Sequence, residues 1–271
     1  MKICVLVDNK TGGDDNLQAE HGLSIWFALN GKNYLVDVGA SSLFVENAAR
    51  LGIDIADVDV LVLSHAHADH TGGLVAFIDN NDKAAIYVSR HVCGNSYYST
   101  RRGGKRSISI DAEVLSSCGD RVRYVDGNTV VGEDVAIISD ILCTAPVPKA
   151  NGTLYVNDRP DDFAHEMAVV VDEGVERVLL SPCSHKGIMN ILNAVGGAPV
   201  TRFVGGLHLL DSDDNFQFEE RHEIVSLANE IKARGVALYT GHCTGETAKG
   251  LFSDILGDRF VEFFSGFALY I

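Results

Sequence analysis

Basic residues are scarce in this chain. Lys and Arg number 22 against 37 Asp and Glu, a formal net charge of −15 over 271 residues. An acidic surface repels a phosphate backbone and argues against nucleic acid as a partner. A small anionic substrate stays open, because a metal or a local basic patch can reverse the field inside one cleft. Long apolar runs are missing too. None approaches the ~18 residues of a membrane span, so no membrane association is expected. The six cysteines (Cys4, Cys93, Cys118, Cys143, Cys183 and Cys243) form no C-x-x-C pair. A chain of this size needs no disulfide staples, so they read as reduced thiols of a cytoplasmic protein. Met1–Asp8 turns acidic too soon for a signal peptide and reads as a first strand. Short-period repeats, low-complexity tracts and linkers are absent. What is present is 46% apolar residues, enough for a large core. One domain over residues 1–271, built of two similar α/β halves, is the simplest organisation. A homo-oligomer stays open.

The periodicity predicts strands over 2–7, 23–29 and 32–38, the latter two joined by Asn30-Gly31, a strong hairpin signal. A helix from Ser41 or Ser42 to Leu51 follows, then a buried strand over 58–63. Residues 72–78 read as a short helix and 84–89 as a strand. From His91 to about Asp120 no period survives, and the stretch reads as a long loop. Residues 143–160 read as irregular. A second hairpin spans 167–171 and 177–180. Helices over 186–195, 218–234 and 246–256, strands over 201–204 and 236–239, and one last strand over 260–270 complete the chain.

The feature that organises the chain is His65-Ala66-His67-Ala68-Asp69-His70, directly after the apolar strand. Further strand ends carry His185, His208 and His242. Strand-end loops aim side chains at one edge, and imidazole with carboxylate suits Zn, Fe or Mn. The first cluster is too rich for one tetrahedral ion. Two ions roughly 3.5–4 Å apart would share a water and lower its pKa toward ~7. Asp37, at an earlier strand end, is either a turn residue or a carboxylate that accepts a ligand imidazole's second N–H.

The cluster resembles the signature of the metallo-β-lactamase superfamily. Asp37-Val38-Gly39 and Thr240-Gly241-His242 resemble that superfamily's strand-end Asp-x-Gly and its final histidine motif. The resemblance implies an α/β (α+β) fold, a four-layer αββα sandwich with the metals at one edge. By motif match His65, His67, Asp69, His70 and His242 carry over as metal ligands. The middle of the chain departs from the pattern. It has no Pro-Gly-His-Thr segment and no bridging Asp after the strand 177–180. His185 and His208 therefore compete for those places, and Cys183 is either a thiolate ligand or a small buried neighbour of the site. Glu20-His21-Gly22, Ser184-His185-Lys186-Gly187, Gly205-Gly206-Leu207-His208 and His242-Cys243-Thr244-Gly245 resemble one subgroup. It contains archaeal synthases that couple a pterin to a ribofuranosylaminobenzene phosphate, and bacterial metal-dependent hydrolases. On this resemblance Glu20 and His21 reach the same edge.

The expected cofactor is a pair of divalent metal ions, zinc first, with Mn, Fe or Mg as alternatives. The expected activity is a metal-activated water attacking a phosphoester or ester of a small, anionic or phosphorylated molecule, with Asp69 and His208 as the catalytic pair. Tyr97, Tyr98, Arg101 and Arg102 are the substrate-binding candidates, because rings and guanidinium groups can stack a planar ring and hold a phosphate. The alternatives are the pterin-coupling transferase and a non-catalytic ligand-binding or sensing protein.

Overall fold

The structure is a computed structural model that describes residues 1–101, 103–210 and 218–271. The chain divides into two compact units. The first comprises Met1–Gly127, Thr153–Met167 and Phe264–Ile271, the second Asn128–Gly152 and Ala168–Phe263.

The first unit carries a seven-stranded sheet. Its strand order is Ala268–Tyr270, Lys2–Val7, Ser24–Leu29, Lys32–Val36, Val60–Leu63, Ala85–Ser89 and Val122–Val125. Ser24–Leu29 and Lys32–Val36 pair antiparallel around Asn30-Gly31, as the turn chemistry predicts. From Lys32–Val36 to Val122–Val125 the strands run parallel. Parallel strands are covered on both faces, which is why Val60-Leu61-Val62-Leu63 reads as an unbroken apolar run. All four residues are buried. The helix Leu43–Arg50 buries Leu43, Phe44, Asn47 and Ala48. Asn47 meets its polar needs there: its amide donates to Leu6 O and Gln18 O and accepts from Gln18 N.

The second unit carries a seven-stranded sheet in the order Phe260–Glu262, Ala237–Thr240, Arg202–Val204, Glu176–Leu180, Ala168–Glu173, Val135–Ile138 and Thr129–Gly132. Glu176–Leu180, Arg202–Val204 and Ala237–Thr240 lie parallel and adjacent. They end level with one another, at the segments that carry His185, His208 and His242. The helices Ile188–Ala194, Arg221–Ala233 and Glu246–Leu256 pack Ile191, Ala228, Ile231 and Phe252 into this unit's core.

Four expectations need correction. The stretch 91–120 is not one loop, and 143–160 is not wholly irregular. Tyr97–Ser99, Arg106–Ser107, Leu154–Val156 and Arg159–Pro160 form a small four-stranded sheet in the first unit. Strands of two or three residues are too short to show a period. The final strand is two, Phe260–Glu262 in the second unit and Ala268–Tyr270 in the first. The long helix starts at Arg221, after a reciprocal cap between Glu220 and Glu223, and not at Phe218.

Gly73 opens the helix Leu74–Asn80 just past the histidine cluster. A Cβ there would lie 2.2 Å from Val38 O and 2.5 Å from Ser41 O, both backbone atoms. Gly73→Ala should therefore destabilise the protein by about 1–3 kcal/mol, the usual cost of overpacking. Denaturant unfolding checks this, and wild-type stability would contradict the packing described.

Candidate metal centre

In the first unit the histidine loop is stitched down by backbone hydrogen bonds on both sides. Leu23 N–H donates to Asp69 O and Val38 N–H to His70 O, while Ile110 N–H donates to Ala66 O and Ala68 N–H to Ile108 O. His65, His67 and His70 are all buried. Their rings crowd together, with centroids 4.7 Å apart for His65 and His67 and 4.2 Å apart for His65 and His70.

Asp37 orients two of them. It lies beyond the end of Lys32–Val36 with φ 61°, a left-handed conformation that Asp tolerates. Its Oδ1 accepts from Ser64 N at 2.7 Å. Its Oδ2 accepts from Ser64 Oγ at 2.7 Å and lies 2.7 Å from His70 Nδ1. A carboxylate only accepts, so His70 carries its proton on Nδ1 and presents a lone pair at Nε2. Ser64 Oγ spends its one proton on Asp37, so at 2.8 Å it accepts from His65 Nδ1–H. His65 also presents Nε2. One buried carboxylate thus sets two tautomers.

A second carboxylate stands beside His67. Asp161 Oδ1 accepts from Phe163 N at 2.8 Å, and Oδ2 lies 3.1 Å from His165 Nε2 and 3.9 Å from His67 Nε2. Burial alone would raise the Asp161 carboxyl, but the imidazoles of His165 and His67 outweigh it and hold it well below the usual range. Burial pushes the His165 imidazole down. His165 Nδ1 accepts from Ala66 N at 3.1 Å. Its proton is therefore on Nε2, facing Asp161, and neither ring nitrogen of the neutral His165 has a lone pair to spare for a metal. The triad His67, Asp161 and His165 has donor atoms within 4.8 Å of one another. Its proton positions argue against a cation cage, and Asp161 acts on His67 as an anionic neighbour 3.9 Å from Nε2. Sequence reasoning missed both residues. The available signal was the Asp161 to His165 spacing immediately ahead of the strand Ala168–Glu173.

Asp69 is partly exposed, with Oδ2 3.6 Å from His70 Nε2 and 3.4 Å from His21 Nε2. His21 thus reaches the cluster. Glu20 does not serve it in this way: its carboxylate accepts from Ala40 N, Ser41 N and Ser41 Oγ, and so caps the turn before Leu43–Arg50. Among the substrate-binding candidates, Tyr97 is buried, donates its hydroxyl to His91 O, and packs edge-on to His165 at 4.3 Å. It is a wall behind the Asp161–His165 pair and not an open stacking surface. Tyr98 is half-buried, with the Lys105 ammonium 4.0 Å from its ring centre. Arg101 is half-buried, and Arg102 lies outside the described residues.

In the second unit His185, His208 and His242 follow the three parallel strand ends and are buried. Ser184, His208 and His242 have φ of 54°, 50° and 48°. Non-glycine residues seldom adopt such values outside sites that require them. His185 Nδ1 lies 3.1 Å from Asn151 Oδ1, and Asn151 Nδ2 donates to His185 O at 2.7 Å. The amide oxygen accepts, so His185 too presents Nε2. Its ring lies 4.1 Å from that of His208. Cys183 is buried with its sulfur 3.5 Å from that of Cys243. Asn151 and Cys243 were not singled out by sequence. A mainly apolar cavity of about 290 Å³ in this unit is bordered by Met189, Leu209, Glu219 and Leu227. None of the donors named above lines it, so it is separate from this cluster.

The sequence model of the metallo-β-lactamase superfamily matches residues 18–185. The chain belongs to this superfamily. A relative from Methanocaldococcus jannaschii, named 7,8-dihydropterin-6-methyl-4-(β-D-ribofuranosyl)-aminobenzene-5'-phosphate synthase, is 27% identical over 98% of this chain and 95% of its own. A crystal structure described as a metal-dependent hydrolase of the β-lactamase superfamily matches with TM-score 0.84 and 27% identity, over 100% of this chain and 99% of that one. The Zn²⁺-bound PqqB of Methylobacterium extorquens matches with TM-score 0.62 at 12% identity over the full length of both chains, a likeness of fold. The mixed α/β architecture is that of the metallo-β-lactamase fold.

Metal is the cofactor this superfamily implies, and the donor chemistry fits it. His65, His70 and His185 each have Nδ1 engaged by an oxygen, which places the ring's lone pair on Nε2. Metal-ligating imidazoles are commonly held in this way.

Proposed function

We propose that the chain is a metal-dependent hydrolase that cleaves a phosphoester or ester bond of a small molecule, using a pair of divalent ions. The observation that carries this reading is the Asp37–Ser64–His65/His70 network. It is a buried arrangement that fixes two imidazole tautomers at one strand end and has little purpose without a cation to receive them. The donors we assign are His65, His67, Asp69 and His70 from the first unit and His185, His208 and His242 from the second. Divalent ions bound there would lower the pKa of water and polarise a phosphoryl or carbonyl oxygen. Asp69, partly open to solvent, and His208 are assigned the handling of protons at the reacting oxygen. Asp37 and Asn151 hold imidazoles, and Arg101 with Arg102 supplies positive charge for an anionic substrate.

The pterin-coupling transferase is the second reading, favoured by the 27% identity that extends over 98% of the chain. One experiment separates the two. The metal-loaded protein is given a pterin diphosphate with and without a ribofuranosylaminobenzene phosphate acceptor, beside a panel of phosphoesters and lactones. Hydrolysis alone supports the hydrolase, and coupled product with release of diphosphate supports the transferase. Full metal occupancy with no turnover of any kind supports a sensor and overturns both.

Asp161→Asn tests the support of His67. An amide can donate toward His67 or His165 where the carboxylate only accepts, so the ring orientation loosens. Metal affinity should fall roughly 10- to 100-fold, as for other partners that hold ligands in place. Competition against a chelator measures it, and unchanged affinity would remove Asp161 from the site.

A further inference from the structure

We propose that Cys183 and Cys243 are thiolate donors. Together with the histidines of the same unit they form a sulfur–imidazole set suited to a borderline or soft divalent ion. This rests on the metal-dependent reading above and deepens it by naming the class of ion.

The two sulfurs lie 3.5 Å apart, with no disulfide between them. Two metal–sulfur bonds of about 2.3 Å meeting at a tetrahedral angle hold their sulfurs about 3.8 Å apart. The observed spacing needs only a few tenths of an ångström of opening. The donor atoms of Cys183, His185 and His208 lie within 4.8 Å of one another, and so do those of Cys183, His242 and Cys243. Cys183 belongs to both groups, so its sulfur is the common point of five donors.

The backbone is shaped to permit this convergence. Gly206 N–H donates to Pro182 O at 2.8 Å, which draws two strand ends together. A Cβ on Gly206 would lie 2.6 Å from Cys243 Sγ and 2.7 Å from Pro182 O. Only glycine lets the segment after Arg202–Val204 lie this close to Cys243 and to the Pro182 carbonyl. Leu207 N–H donates to Thr244 Oγ1, and Thr244 Oγ1 lies 2.6 Å from Thr240 Oγ1, which fixes the turn that bears Cys243. Both cysteines also touch a small apolar cluster with Ala150 and Leu210. Apolar packing alone accounts for their burial. It does not account for three imidazoles in left-handed or tightly turned segments converging on the same sulfur.

The chemistry follows from the donors. Thiolate and imidazole select zinc, or its cobalt and cadmium analogues, over magnesium and manganese, which prefer oxygen. Each thiol releases its proton to solvent as its bond to the ion forms.

The test uses the full chain, reduced and stripped of metal, titrated with Co²⁺. The expected result is a sulfur-to-cobalt charge-transfer absorption in the near ultraviolet that grows to saturation. Excess Mg²⁺ should leave it in place. Cys183→Ser and Cys243→Ser should each weaken it, while Cys93→Ser, at an exposed thiol, should not. If a serine variant fails to fold, the wild-type spectrum decides alone. Cobalt bound without the absorption, or an absorption undiminished in both variants, overturns the thiolate proposal and leaves the metal-dependent enzyme standing. No cobalt bound at all overturns both.

Discussion

Asp37→Ala is expected to lower the stability of the metal-free protein by about 3–5 kcal/mol, because each buried donor left without its acceptor costs about 1–3 kcal/mol. Three groups lose their acceptor at once: Ser64 N–H, Ser64 Oγ–H and His70 Nδ1–H. All are buried, so water does not readily replace the carboxylate. Alanine also fits poorly at φ 61°, where Asp and Asn are tolerated. Urea unfolding measures the loss, and a cost below about 1 kcal/mol would mean that solvent reaches these groups. Asp37→Asn separates folding from metal binding. It keeps the backbone preference and an acceptor for Ser64 N–H. Its amide N–H₂ faces His70 Nδ1, which turns the imidazole toward the tautomer protonated at Nε2. The stability loss should be smaller than for alanine, while metal affinity falls by at least the roughly 10- to 100-fold typical of a lost ligand partner.

His67→Ala is expected to remove bound metal and activity together, by about 100-fold or more. That follows because losing a supporting partner alone costs roughly 10- to 100-fold, and His67 is assigned as the ligand itself. The ring is buried between the crowded His65 and the Asp161–His165 pair, so its removal also leaves Asp161 with one fewer imidazole. Folding of the metal-free variant, followed separately by circular dichroism, keeps misfolding from passing as ligand loss. Unchanged metal content in the folded variant would contradict the assignment.

Much of this was legible in the sequence because local chemistry dictated it. The unbroken apolar run 60–63 could only be a covered strand, and Asn30-Gly31 fixed the hairpin. The crowding of His65, His67, Asp69 and His70 singled out this loop as a candidate cation site before any fold was known. What stayed hidden depended on long-range partners. His165 and Asp161 meet His67 from almost a hundred residues away, and a single Asp-to-His spacing far from the 65–70 cluster draws little attention. Asn151 looks like any loop amide until its contact with His185 is seen. Cys243 reads as an ordinary reduced thiol until Gly206 brings Cys183 beside it. The small sheet around Tyr97–Ser99 eluded periodicity because its strands are two or three residues long. That sheet is also what buries Tyr97, a ring the sequence offered to substrate.

The central claim is that these imidazoles are posed for metal. It is tested most directly by anomalous diffraction from crystals of the protein grown with Zn²⁺, with data collected above and below the zinc edge. The account predicts two ions per chain, with peaks about 2.0–2.1 Å from Nε2 of His65 and of His70. Peaks confined to surface carboxylates, or Nε2 of His65 and His70 left without metal at saturating zinc, would contradict it.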